Sequence, residues 1–124
     1  MKNLDRLVIA EDLRLRDALA ALDAGAAGVV FFREAGGRLV GLATDGDVRR
    51  ALMRGATLDT PARDFMKRDF AFGRTSAPRE ENVGKLGDKV RYLPLLDAAG
   101  AIVDVLSWTD FWHMPVMEPK LGGN

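Results

Sequence analysis

The strongest constraint on this chain is that it repeats itself. Thr44 and Asp47 close one apolar stretch, Leu39-Val40-Gly41-Leu42-Ala43, and Ser107 and Asp110 close another, Ile102-Val103-Asp104-Val105-Leu106. Both pairs are offset by the same 63 residues. The offset continues upstream, where Gly37 maps to Gly100, Val30 and Phe32 map to Leu93 and Leu95, and Ile9 maps to Phe72. In a chain of 124 residues this leaves two copies of one unit, each about half the chain. Units that small bury too little surface to be firmly stable alone, so the copies must share a core.

Each unit reads as strand, helix, strand, strand, helix. In the first, residues 7–10 form a short strand and residues 12–23 a helix with Leu15, Leu19 and Leu22 on one face. Gly25 is placed to end that helix in a left-handed cap. Residues 29–32 are a buried strand, residues 34–38 a hairpin loop and residues 39–43 its returning partner. A last helix turns Val48, Ala51 and Leu52 inward and stops at Gly55. Residues 60–66 read as a capped short helix joining the units. The second unit opens with a strand at residues 70–72 and a helix whose first position is Pro78. Gly84 and Gly87 weaken that helix by about 1 kcal/mol each. A hairpin of residues 92–96 and 101–106 follows.

Composition removes several function classes. There is no cysteine and one histidine, His113, so the usual thiolate and imidazole metal centres have too few ligands and no catalytic triad stands out. Lys plus Arg and Asp plus Glu both number 18, which lacks the basic excess of a duplex-binding protein. The longest apolar run, residues 26–32, is far short of the roughly 20 residues that cross a bilayer. The N-terminus carries no apolar core of a signal peptide, and a cytoplasmic location is expected. No P-loop or Rossmann glycine pattern occurs. The expectation is a non-catalytic chain without nucleic-acid or membrane partners.

The repeated Thr/Ser-x-x-Asp motif serves two chemistries. Thr44 and Ser107 suit helix N-caps, and an acid three residues on completes a capping box. A strand running into a helix N-terminus also points N–H groups at an incoming anion. An aspartate there can accept from both hydroxyls of a ribose.

With these residues in view, the units resemble tandem cystathionine β-synthase (CBS) domains, the paired Bateman module that senses adenine nucleotides. Gly41-Leu42-Ala43-Thr44-Asp45-Gly46-Asp47-Val48-Arg49-Arg50-Ala51-Leu52-Met53-Arg54-Gly55, then Leu58-Asp59-Thr60-Pro61, is similar to the first repeat of CBS pairs attached to sugar-nucleotide enzymes. Phe65-Met66 and Leu93-Pro94-Leu95-Leu96-Asp97 are similar to the start and middle of a second repeat, so the resemblance spans residues 4–112. It implies an α+β fold of α/β type, two β-α-β-β-α repeats packed by pseudo-twofold symmetry. The division would be 1–56, a connector at 57–67, and 68–113 for the second repeat.

The resemblance further implies AMP, ADP or ATP bound in clefts between the repeats. Thr44, Asp45, Gly46, Asp47 and Arg50 would face phosphate and ribose in one cleft, and Ser107 and Asp110 would do so in the other. The adenine would lie against Val8, Ala10 and Val30, or near residues 70–72 and Leu93. Arg49, Arg50 and Arg54 favour the first motif for a polyphosphate. Asp104, where the family has glycine, and the bulk of Trp108 mark the second motif as degenerate. CBS pairs commonly dimerise, and a homodimer is expected. The competing expectation is a structural or dimerisation module with empty clefts.

The last residues point to a further domain. Pro115-Val116-Met117-Glu118-Pro119-Lys120-Leu121-Gly122-Gly123-Asn124 resembles the opening of pyridoxal-phosphate-dependent sugar aminotransferases, which would make residues 114–124 a linker and the start of an enzyme domain in cis. The alternative partner in cis is a sugar-phosphate nucleotidyltransferase.

Overall fold

The computed structural model describes residues 4–25 and 27–112, and the expectations for His113 and residues 114–124 lie outside them. The fold is mixed α+β with two three-stranded sheets. In the first unit α1 (Leu4–Leu7) leads into β1 (Val8–Ala10), α2 (Leu15–Gly25), β2 (Val29–Arg33), β3 (Leu39–Thr44) and α3 (Asp45–Met53). A 3-10 turn at Ala62–Asp64 lies on the connector. The second unit follows as β4 (Gly73–Arg74), α4 (Arg79–Val83), β5 (Tyr92–Leu96), β6 (Ile102–Ser107) and α5 (Trp108–Trp112). In each sheet the outer strand runs parallel to the middle one, which pairs antiparallel with the third.

The repeat is exact in the hairpins. Val29 pairs with Thr44 and Tyr92 with Ser107, Phe32 with Gly41 and Leu95 with Asp104. Even the register shift recurs, between Phe32 and Arg33 and between Leu95 and Leu96. The hairpin tips then meet across the pseudo-twofold axis. Leu39 N donates to Gly100 O at 3.0 Å and Ile102 N donates to Gly37 O at 3.4 Å, each bond the image of the other. Gly37 and Gly100 have φ of +97° and +88°, backbone that any side chain would strain.

The outer strands depart from that offset. Ile9 pairs with Phe32 but Gly73 pairs with Leu95, so the structural equivalent of Ile9 is Gly73, not Phe72. The strand expected at residues 70–72 is absent. Phe70 and Phe72 instead pack edge to face, 6.2 Å apart, against the core between the sheets. Their apolarity serves that core, and pairing to Leu95 and Leu96 sets the strand.

Other local expectations shift for identifiable reasons. Leu7 belongs to α1, not to the first strand. The helix expected from Asp12 begins at Leu15, because the connector holds its first N–H groups: Leu15 N donates to Thr60 O at 2.8 Å and Arg16 N to Leu58 O at 3.0 Å. Gly25 is that helix's last residue, and the left-handed position falls at Gly28 (φ +78°). Leu15, Ala18 and Leu22 form the buried face, leaving Leu19 37% exposed. Likewise α3 buries Asp47, Val48 and Ala51 and leaves Leu52 42% exposed. The connector's 3-10 turn has no side-chain cap; the Thr60 hydroxyl accepts from Thr57 N instead. Pro78 caps α4 from outside rather than forming its first residue.

Two apolar layers result. One lies between sheet 1 and its helices and holds Leu15, Val30, Phe32, Ala43, Val48 and, from the connector, Phe65 and Met66. The other lies between the two sheets and joins Val8, Val29, Phe31 and Leu39 to Leu96, Ile102 and Val105. No helix among the described residues is long and apolar enough to cross a membrane.

Candidate functional site

The first motif is a complete capping box. Thr44 ends β3 in extended backbone, and its hydroxyl accepts from Asp47 N at 3.3 Å. Asp47 Oδ2 in turn accepts from Thr44 N at 2.9 Å and from Thr44 Oγ1 at 3.0 Å. The other carboxylate oxygen, Oδ1, is 2.7 Å from Arg50 Nη2 and 3.5 Å from Lys67 Nζ. Asp47 is thus 6% exposed and engaged on both oxygens. Arg50 lies back over the first turn of α3, its guanidinium close to Gly46. A ribose can reach the carboxylate only by taking over the positions held by Arg50 and Lys67.

Burial by itself would raise the Asp47 pKa. The hydrogen bond from Thr44 N, the Arg50 and Thr44 side-chain bonds and the Lys67 charge outweigh it, and the carboxyl is held below its ordinary value. A depressed native pKa means that the unfolded chain binds more protons as the pH falls past its own value. This contribution is full above about pH 5 and lost progressively as the pH drops through the native pKa. Urea midpoints of the wild type are expected to fall more steeply from pH 6 to pH 3 than those of Asp47→Asn, which has no charge to lose. Parallel pH profiles would contradict this.

Beside the motif lies a cleft of about 280 Å³ between the units. Gly28, Val29 and Leu42 from the first unit face Phe70, Ala71 and Tyr92 from the second. Lys67, Lys89 and Arg91 bring three cations to its wall against one acid, Asp69. Lys67 belongs to both places. The reciprocal backbone bonds Leu42 N to Lys67 O (2.9 Å) and Lys67 N to Leu42 O (2.7 Å) fix it to β3, while its ammonium meets Asp47.

The structure gathers Thr44, Gly46, Asp47 and Arg50 at one helix start, with Asp45 exposed beside Gly28. It separates the expected base-binding residues from them. Val30 is fully buried under the helices, Leu93 is fully buried, and Val8 faces the core between the sheets. Val8, Ala10 and Val30 do not line the cleft. A strand residue expected at an edge is interior here because helices cover one sheet face and the other sheet covers the other. The cleft is walled instead by residues just before the strands, at Gly28 and at residues 89–91. No sequence signal singled these out. Phe70 and Ala71, within or beside the second expected base position, do reach it.

The second motif differs in kind. Ser107 is wholly buried, its hydroxyl 2.8 Å from that of Thr109. Asp110 is exposed on α5, which has five residues against nine in α3. Arg49 on α3 and Arg54, the C-cap residue that follows it, are exposed and line none of the described cavities.

Comparison with known proteins agrees with this architecture. Residues 2–54 match the model of the CBS domain. No curated protein matches the chain. Among solved structures, a CBS domain protein from Pyrobaculum aerophilum complexed with AMP is 18% identical with a TM-score of 0.71, covering 93% of both chains. The CBS-pair protein CBSX2 from Arabidopsis thaliana is 23% identical with a TM-score of 0.73, covering 89% of this chain and 86% of that one. The CBS domain pair of protein MJ0100, in complex with 5′-methylthioadenosine and S-adenosyl-L-methionine, is 17% identical with a TM-score of 0.70, covering 85% and 87%. The whole described chain has the fold of a CBS domain pair.

Proposed function

We propose that the chain is a regulatory module that binds an adenine nucleotide in the cleft between its two units and acts on an enzyme domain in cis. Lys67 carries this reading, because one side chain lines the cleft and touches Asp47. A nucleotide in the cleft would place its base between Phe70 and Tyr92 and its anionic end among Lys67, Lys89 and Arg91. Its ribose would take Asp47 from Arg50, freeing that guanidinium for phosphate beside the α3 N-terminus. Two of the similar structures hold AMP or adenosyl ligands, which supports the ligand class. The second motif, with its hydroxyl sealed in, would hold no nucleotide. Residues 1–56 and 68–113 are the proposed repeats, and a sugar aminotransferase or nucleotidyltransferase is the proposed domain in cis.

One observation favours a second reading, a dimerisation module with empty clefts: both oxygens of Asp47 are already satisfied by capping and ion pairs. Thermal denaturation with AMP, ADP and ATP separates the two. A bound nucleotide at 100 times its Kd adds about 2.7 kcal/mol of stability. Lys67→Gln is expected to weaken that binding about tenfold, the size of a lost charge-assisted contact. No shift with any of the three, together with a stable dimer by light scattering, would establish the second reading.

A further inference from the structure

Two arginines from different units meet at the hairpin tips. Arg38 follows the first hairpin loop and forms a β-bridge with Ala101 of the second unit. Its side chain lies along Gly100, with Cγ 3.2 Å and Nε 3.7 Å from where a Cβ on that glycine would stand. Arg74 ends β4, and its Nη1 donates to Asp97 O at 2.8 Å. The same carbonyl accepts from Gly100 N at 3.0 Å, so both arginine side chains are anchored on one turn, residues 97–100. The Phe72 ring holds Arg74 a second time, with Cζ 5.1 Å from the ring centroid.

Both arginines line a cavity of about 330 Å³, with Phe70, Phe72, Leu39 and Leu96 as apolar wall. The volume falls in the range of small-molecule pockets. No acid is among its described lining residues. Two acids stand nearby. Glu34 Oε2 is 3.7 Å from Arg38 Nε, a long contact between half-exposed side chains. Asp97 turns Oδ1 onto its own loop, where it accepts from Ala99 N and Ala101 N at 2.9 Å each. A guanidinium has five N–H donors, and these contacts use few of them. Like charges gathered on one turn repel until an anion joins them. The fold itself does not require the pair, because the repeat counterparts of Arg38 and Arg74 are Ala101 and Ala10. Helices α1 and α5, where the described residues begin and end, adjoin the opposite ends of the strands.

We propose that this cavity is a binding site for a small phosphate monoester, separate from the cleft between the units. The phosphate oxygens accept from Arg38 on one side and Arg74 on the other, contacts that the guanidinium fork suits. The organic group of the ester rests on Phe70 and Leu39. The dianion offsets both cations and ties the first hairpin loop to the turn of the second. Phe70 lines this cavity and the cleft, and the two linings otherwise share no residue.

Calorimetric titration with phenyl phosphate tests the site, and phenyl sulfate, which carries less negative charge, is the control. Phenyl phosphate is expected to bind at least about tenfold more tightly than phenyl sulfate. Arg38→Gln and Arg74→Gln should each weaken it about tenfold, the size of one lost charge-assisted contact. Arg38→Gln keeps the Cγ that lies on Gly100 and disturbs only the long contact with Glu34, so its effect reads binding and not folding. Absence of phenyl phosphate binding up to about 10 mM would overturn the proposal, a range that reaches very weak affinities. Equal binding of phenyl sulfate would overturn it as well. So would binding undiminished by Arg38→Gln, which would move the anion to Lys67, Lys89 and Arg91 in the cleft. The probe has neither adenine nor ribose, so failure here is distinct from failure of the nucleotides to stabilise the chain.

Discussion

Phe31→Ala is expected to cost about 3–5 kcal/mol, a large share of the roughly 5–15 kcal/mol that holds a small domain together. Phe31 is wholly buried in the layer that joins the two sheets, with Leu96, Ile102 and Val105 of the second unit in the same layer. Truncating it loses the transfer energy of a ring and leaves a cavity that neither sheet can close, since each is fixed by the reciprocal bonds at the hairpin tips. Urea denaturation should show a much lower midpoint with an unchanged slope. Leu52→Ala is the internal control. That side chain is 42% exposed, and its loss should cost under about 1 kcal/mol. A Phe31→Ala variant as stable as Leu52→Ala would mean that the sheets do not depend on each other.

Asp47→Ala is expected to lose the stabilisation that adenine nucleotides give and to lower intrinsic stability by about 2 kcal/mol, the upper range for a lost helix cap. The reason lies in four groups rather than one. Thr44 N–H loses its acceptor, Thr44 Oγ1 loses its own, and Arg50 and Lys67 lose the charge between them. Both cations are about half exposed, so water recovers much of their share, and the cap dominates the loss. Asp47→Asn separates the roles, because an amide oxygen still accepts from Thr44 N but holds no charge. Nucleotide binding that survived Asp47→Ala unchanged would remove the first motif from the ligand site.

The hairpins show how much was legible in sequence. The apolar run from Leu39 to Ala43 has a copy 63 residues on, and the same offset carries the pairing of the first hairpin onto the second. The capping box was legible for a similar reason: it is made within four residues, Thr44 to Asp47. The outer strand at Gly73 was not, because two residues without a pattern become a strand only through pairing with Leu95 and Leu96. Leu19 and Leu52 misled for the same reason. An apolar residue at helical spacing reports a face, but what covers the face is settled by other parts of the chain.

The candidate site divides along the same line. Sequence identified Thr44, Asp47 and Arg50, whose relations are local. It gave no sign that Lys67 would turn back onto Asp47 or that Asp47 would be fully engaged. Those depend on contacts across 20 residues or between the two units.

Sequence by itself therefore determined that two copies of one β-α-β-β-α unit share a core, and that each ends a strand in a helix-capping motif. Only the tertiary structure decided what the connector does: it packs Phe65 and Met66 against sheet 1 and brings the Lys67 ammonium to Asp47. Repeats encode what neighbouring residues do to one another. What a segment distant in sequence adds to one copy, as the connector does to sheet 1, is settled only when the chain folds.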